Sequence, residues 1–168
     1  NYLPEYMAAV LQRNKNDIKK ITFFMDECKR QNLQVLGPDI NESEYKFIVN
    51  KEGEIRFGLG AVKGVGKGAV EAIVEARKEN GPFKDIFDLT KRIALRAANK
   101  KCLESLAYAG AFDCFKGVYR SQYFYKENDG DSVFLDKAIR FGSKYQSVLQ
   151  SEQIAMFGND GFSVKNPQ

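Results

Sequence analysis

Apolar positions in the first part of the chain recur at helical spacing. The stretch NYLPEYMAAVLQ predicts a first helix with Pro4 in its first turn, where an amide hydrogen bond is not needed. Asp17 is a suitable N-cap for a second helix. One face of that helix carries apolar residues every three or four positions: Ile18, Ile21, Met25 and Cys28. Gly37 and Pro38 then stop the helical pattern.

The pattern changes to alternation between residues 45 and 59. Two runs of alternating apolar residues flank a polar turn, and these are Tyr45, Phe47 and Val49, then Ile55, Phe57 and Leu59. Such alternation predicts a short β-hairpin. A glycine cluster follows, and a third helix is expected from about Gly68 to Lys78.

The remainder of the chain is mainly helical in pattern. A short helix is expected in FKDIFDLTKRI, and another in ANKKCLESLAYAGAFD, with Asn99 as its N-cap and Gly110 as its stop. Two helices broken near Asn128 are expected before residue 150, and a flexible tail after it. The predicted fold class is therefore mainly α with one short β-hairpin.

Composition removes several kinds of chemistry. The chain has no histidine, so Ser-His-Asp and Cys-His catalysis and histidine-metal ligation are excluded. Three cysteines without a CxxC pair favour neither a disulfide framework nor a zinc site. The sequence has no apolar run long enough to predict a membrane span, so we expect a cytoplasmic protein with no membrane partner. We also expect no metal site in this chain.

Positive charge is concentrated in the middle of the chain. The net charge is +4, and residues 51–101 carry twelve basic and seven acidic side chains, an excess of five. This segment contains the glycine cluster GVGKG. A local basic excess suits an acidic or phosphate-bearing partner, although a solvated helical face has the same composition.

The glycine cluster immediately precedes a helix, and helix N-termini attract anions through their unpaired N–H groups. Gly64 and Gly66 can adopt positive φ and bring successive N–H groups to one side without a Cβ in the way, while Val65 points inward. Lys63 and Lys67 flank the turn. The GxxxxGK[ST] phosphate loop is absent. The alternative is a glycine-rich turn that only packs the hairpin against the helix.

With Leu59 and Val62 before the cluster and Ala69 and Ile73 after it, the stretch resembles the helix-hairpin-helix motif, which binds nucleic-acid backbones without sequence specificity. The resemblance implies a tandem helix-hairpin-helix type of domain in which Gly64, Gly66 and the N–H groups of Val65, Lys67 and Gly68 face phosphate. The basic run KRIALRAANKK could extend this track through Arg92, Arg96, Lys100 and Lys101, or it could be a solvated face.

Longer segments widen the resemblance. ECKRQNLQVLGPDIN, GLGAVKGVG and NKKCLESLAYAGAFD are similar to the alpha subunit family of bacterial replicative DNA polymerase III. The resemblance implies four parts: the end of a fingers region at 1–50, a hairpin and DNA-binding domain at 51–115, a helical extension at 116–150, and a tail at 151–168. It also implies a piece that binds primer-template duplex without catalysis, since the magnesium-binding palm of the parent polymerase lies elsewhere. No cofactor is therefore expected here.

The tail contains the short cluster QIAMFG, in which Gln153, Met156 and Phe157 match the outline of the motif that binds the bacterial sliding clamp. The family carries such a motif after the helix-hairpin-helix part, so the resemblance implies the clamp and other holoenzyme subunits as partners. The alternative is that Phe157 folds back on this domain.

Two further classes stay open from sequence. Helix-hairpin-helix motifs also occur in DNA glycosylases, where a downstream aspartate is catalytic, and Asp85 or Asp88 could take that role. The other class is a structural spacer that never touches DNA. Carboxylates on helices are, however, more often caps or surface charges.

Overall fold

The computed structural model describes residues 2–158. Its helices are α1 (Leu3–Arg13), α2 (Ile18–Arg30), α3 (Lys67–Asn80), α4 (Ile86–Arg92), α5 (Lys100–Ala109) and α6 (Phe134–Gly158). Its strands are β1 (Val35–Leu36), β2 (Ile48–Val49) and β3 (Ile55–Arg56), and two 3₁₀ turns span Leu59–Ala61 and Arg120–Phe124. The expectation of a mainly helical fold with a short hairpin is confirmed.

The first two helices pack on the sheet. Pro4 lies in the first turn of α1, and the Asp17 carboxylate accepts hydrogen bonds from the first-turn amides of α2, as its position predicted. Apolar side chains from both helices and the sheet form one buried cluster: Met7, Ala8, Leu11, Ile21, Cys28, Phe47 and Ile55. Burial of this face is what stabilises two helices that would be marginal in isolation.

The sheet has one more strand than the sequence predicts. β2 and β3 form the expected antiparallel hairpin, with Val49 opposite Ile55. β1 joins the other edge of β3 in parallel, with Val35 opposite Ile55. A two-residue strand is too short to show alternation in the sequence, so β1 is recognised as a strand only by its pairing with β3.

A second and larger buried cluster joins α3, α4, α5 and the start of α6. Asn99 caps α5 by accepting the Cys102 N–H, and Gly110 ends α5 in the left-handed conformation at φ 86°. Both features were predicted from the residue types. They set where α5 begins and ends, and α5 itself lies beside the glycine cluster, where Ser105 approaches Gly64.

The region after residue 115 differs from the prediction. A 3₁₀ turn replaces the first of the two expected helices, and α6 then runs unbroken for 25 residues to Gly158. Its first half packs closely on α4, where the Gly142 backbone lies against Thr90 and the Gln146 amide donates to the carbonyls of Thr90 and Ile93 at 2.8 Å. The predicted flexible tail therefore does not begin at residue 151; residues 159–168 lie outside the described part of the chain.

Candidate nucleic-acid interface

The glycine cluster forms a tight loop between the 3₁₀ turn Leu59–Ala61 and helix α3. Val62 and Val65 anchor the loop in the larger core, and the Val65 N–H donates to the Val62 carbonyl at 3.1 Å. Val65 is thus the inward-pointing residue that the sequence indicated. The same hydrogen bond corrects one expectation, because a satisfied Val65 N–H is not free to donate to a phosphate.

The two glycines of the loop have different roles. Gly64 has φ +90°, which favours glycine, and a Cβ at this position would lie 2.7 Å from Ser105 Oγ on α5. Gly66 has φ −84° and extended ψ, so it does not use the positive φ that is open to a glycine. A Cβ on Gly66 or Gly68 would meet open space. Gly64 therefore shapes the loop, whereas the other two keep its outer surface uncovered.

Helix α3 presents an open N-terminus. Gly66 is its N-cap and supplies no side-chain cap, and no acidic residue occupies the first turn. The first intrahelical bond runs from Val70 N to Gly66 O, so within residues 2–158 the N–H groups of Gly66, Lys67, Gly68 and Ala69 have no acceptor. These groups combine with the positive end of a 14-residue helix, which is the arrangement that binds phosphate.

Lysines surround this open backbone. Lys63 and Lys67 are exposed, and neither forms an ion pair with any other described residue. Lys101 is exposed on α5 one turn before Ser105, whose hydroxyl donates to the Lys101 carbonyl at 2.9 Å. Because residues four apart share a helical face, Lys101 lies on the side of α5 that meets Gly64. The fold thus brings these three ammonium groups to one surface.

Arg92 does not belong to that surface, contrary to the prediction. Its guanidinium turns inward, lies 4.5 Å from the Phe83 ring and pairs with Asp88 at 3.1 Å. It also donates at 2.7 Å to the carbonyls of Ala76 and Gly81 at the end of α3. Only 15% of its side chain is exposed. Arg92 therefore caps α3 and joins it to α4.

The other members of the basic run also separate. Arg96 is exposed in the connection between α4 and α5, and the Lys100 Nζ lies 2.9 Å from an Asp136 oxygen on α6. The hydrogen bond to Asp136 raises the pKa of Lys100. Lys100 is therefore partly engaged within the protein, whereas Arg96 remains available to a partner.

The two aspartates considered as catalytic residues act as caps. Asp85 accepts the Asp88 N–H at the start of α4, and the Asp88 carboxylate accepts the Lys84 N–H. Burial by itself would raise the pKa of Asp88, but the Lys84 N–H and the Arg92 guanidinium lower it below its ordinary value. Both side chains are occupied in local structure. Within residues 2–158, no three Cys, Asp or Glu side chains are grouped to hold a metal ion.

Gln153, Met156 and Phe157 lie in the last turns of α6. Met156 is 74% exposed and Phe157 is 79% exposed, so Phe157 does not fold back on the domain. On a helical projection, Leu149, Gln153 and Met156 continue the face that holds Gly142 and Gln146 against α4. These three side chains are exposed.

Comparison with known proteins agrees with this geometry. The helix-hairpin-helix motif family matches residues 32–123, and the chain belongs to that family. The DNA polymerase III subunit alpha of Haemophilus influenzae is 50% identical over 154 residues, and that of Escherichia coli K12 is 46% identical over 158 residues. The Vibrio cholerae protein is 40% identical over 158 residues.

These matches cover 92% to 94% of this chain but only 12% to 13% of the relatives. The resemblance to the polymerase III alpha subunit is therefore confirmed, and the chain corresponds to a small part of that protein. In the described part of the chain, none of the helices has the length and apolar character required to span a bilayer.

Proposed function

We propose that this chain is a DNA-binding and clamp-tethering part of a replicative polymerase, and that it contacts the duplex backbone without reading sequence. The observation that carries the proposal is the uncapped N-terminus of α3, whose amides from Gly66 to Ala69 have no acceptor within residues 2–158. Phosphate oxygens satisfy such donors, and the positive helix end adds attraction.

The surrounding surface supports a polyanion as the ligand. No described carboxylate forms an ion pair with Lys63, Lys67 or Lys101. Arg96 is exposed in the connection between α4 and α5. Contacts from lysines and backbone amides position a duplex without specifying its bases. The segment itself performs no catalysis in this proposal. Nucleotidyl transfer and its magnesium ions belong to the rest of the parent protein. The other holoenzyme subunits are further partners in this proposal, and the location is the cytoplasm.

Clamp binding is the second part of the proposal, and a separate observation favours it. Met156 and Phe157 are large apolar side chains, adjacent and solvent-exposed, in the last turn of α6. Exposed apolar anchors of this kind are typical of protein interfaces. Gln153 lies one turn before Met156 and Phe157, and its side-chain amide is exposed beside them for hydrogen bonding.

The DNA-binding part is tested by the salt dependence of duplex affinity. Each phosphate contact contributes a slope of about −0.9 to a plot of log K against log salt. Lys63→Gln with Lys67→Gln should therefore reduce the slope of the 168-residue chain by about 1.8 if each lysine meets one phosphate. Lys78→Gln with Lys84→Gln removes the same charge at the far end of α3 and is the matched control. Equal slopes for the two double variants would contradict the proposal.

A further inference from the structure

A groove separates the turn between α1 and α2 from the glycine loop. Its volume is about 630 Å³. Residues from the two segments line it: Lys15, Asn16 and Ile18 on one side, Lys63 and Gly64 on the other. Ile18 is 80% exposed although it is a large apolar residue. The groove lies beside the open amides of α3, because Lys63 and Gly64 belong to the loop that leads into that helix.

The Lys15 ammonium is held in place at this groove. Its Nζ lies 3.2 Å from the Tyr45 hydroxyl and 4.5 Å from the centre of the Tyr45 ring. The ring in turn packs on Gly60, where a Cβ would lie 2.5 Å from a ring carbon. No described carboxylate pairs with Lys15, and an ammonium has three donors, so donors remain for a ligand.

Both sides of the groove are positively charged. The turn Lys15 to Lys20 has three lysines and one aspartate, which gives 3 − 1 = +2, and the loop adds Lys63 and Lys67. The aspartate, Asp17, is engaged as the cap of α2 and lies 4.0 Å from Lys20 Nζ. This charge favours a polyanion over an apolar peptide as the occupant, despite the exposed Ile18.

We propose that the groove binds the sugar-phosphate backbone of the same duplex that meets the α3 N-terminus. In this arrangement Lys15 and Lys63 contact phosphates from opposite sides, and Ile18 covers deoxyribose carbons. The inference rests on the proposed function, since it extends the DNA track from the glycine loop to the α1–α2 turn.

The experiment measures the duplex Kd of the 168-residue chain by fluorescence anisotropy at 50 and 200 mM salt. One additional phosphate contact changes the ratio of the two Kd values by about 3.5-fold, from the slope of −0.9 over a fourfold change in salt. Asn16→Lys adds a charge at an exposed position, so it should tighten binding at 50 mM salt and widen the ratio by up to about that factor. Lys15→Gln should narrow the ratio by the same factor.

Two controls place the same changes at the far end of α3. Asn80→Lys and Lys78→Gln lie about 20 Å from the α3 N-terminus, because a helix rises 1.5 Å per residue. Since this exceeds the screening length of about 10 Å at 0.1 M salt, neither control should change the ratio appreciably. Circular dichroism at both salt concentrations verifies that each variant is folded. Lys15→Gln removes the contact between Lys15 and Tyr45 and could destabilise the chain. In that case Asn16→Lys, at an exposed position, still tests the proposal.

The outcomes separate this inference from the proposed function. If Asn16→Lys and Lys15→Gln match their controls while Lys63→Gln with Lys67→Gln still narrows the ratio, the groove does not bind DNA and the proposed function stands. If the Lys63 and Lys67 double variant also behaves as the parent does, or if the parent does not bind duplex at 50 mM salt, both are wrong. Weaker binding by Asn16→Lys would likewise overturn the groove proposal.

Discussion

Ser105 Oγ occupies the space into which a side chain on Gly64 would project, since a Cβ at Gly64 would lie 2.7 Å from it. The hydroxyl is itself fixed by a 2.9 Å hydrogen bond to the Lys101 carbonyl. Loop and helix α5 therefore approach as closely as a glycine permits. This contact sets where Lys101 lies relative to the open amides of α3.

Gly64→Ala should destabilise the chain by about 1 to 2 kcal/mol, because alanine is strained at φ +90° and its methyl group meets Ser105. Gly66→Ala is the matched control. Its φ of −84° suits alanine and the added methyl group meets open space, so its change should stay within about 0.5 kcal/mol. Urea unfolding measures both.

Ser105→Ala separates the two causes at Gly64. Without the hydroxyl, the nearest Ser105 atom to the new methyl group is Cβ at 3.5 Å, an ordinary contact. The double variant should therefore recover the steric part of the loss but not the part due to positive φ. A Gly64→Ala loss that Ser105→Ala leaves unchanged would mean that the steric contact contributes nothing.

Arg92→Gln should lower the free energy of unfolding by about 3 kcal/mol or more. The substitution leaves Asp88 without its ion-pair partner and removes donors from the carbonyls of Ala76 and Gly81. Arg96→Gln removes the same charge from an exposed side chain and should change stability by less than about 0.5 kcal/mol. For duplex affinity the order is reversed: Arg96→Gln should weaken binding more than Arg92→Gln, since only Arg96 is available to phosphate. A larger effect of Arg96→Gln on stability would contradict the assignment.

Acid should destabilise the chain partly through Asp88. Its pKa is lowered in the folded state, so the carboxylate contributes stability above its unfolded pKa near 3.8, and this contribution is lost as pH falls through the folded value. Asp88→Asn should be less stable than the parent at neutral pH and should lose less on going from pH 5 to pH 2. If parent and variant lose the same free energy of unfolding between pH 5 and pH 2, protonation of Asp88 is not linked to folding.

Met156→Ala with Phe157→Ala should abolish binding of the 168-residue chain to immobilised sliding clamp without changing its melting temperature, since both side chains are largely exposed. Ile154→Ala is the matched control, because Ile154 is 66% exposed in the same turns but occupies a position between Gln153 and Met156 that the motif leaves unspecified. Equal clamp binding by parent, double variant and control would remove the clamp assignment.

Local features of this fold could be predicted from the sequence, whereas features that depend on distant partners could not. Asp17, Asn99 and Gly110 have the predicted caps and stops because those roles depend on the residue and its immediate neighbours. β1 was missed, since two residues become a strand only by pairing with β3. Arg92 was misassigned because its acceptors at Ala76 and Gly81 are 11 to 16 residues away in sequence.

The candidate site shows the same division. The open helix end and its flanking lysines could be anticipated from GVGKG, but not the hydrogen bond that satisfies the Val65 N–H or the negative φ of Gly66. Both depend on how the loop packs between the core and α5. The continuation of α6 to Gly158 was also missed, because its last turns have no buried face from which periodicity could be recognised.

Titration of the ¹⁵N-labelled chain with a short DNA duplex, followed by amide chemical shifts, shows whether the N-terminus of α3 is the surface that meets DNA. The largest shifts are expected at the amides of Gly66 to Ala69, reduced at 200 mM salt, with small changes at the C-terminal end of α3. Duplex binding that leaves those four amides unchanged while shifting resonances elsewhere would contradict it.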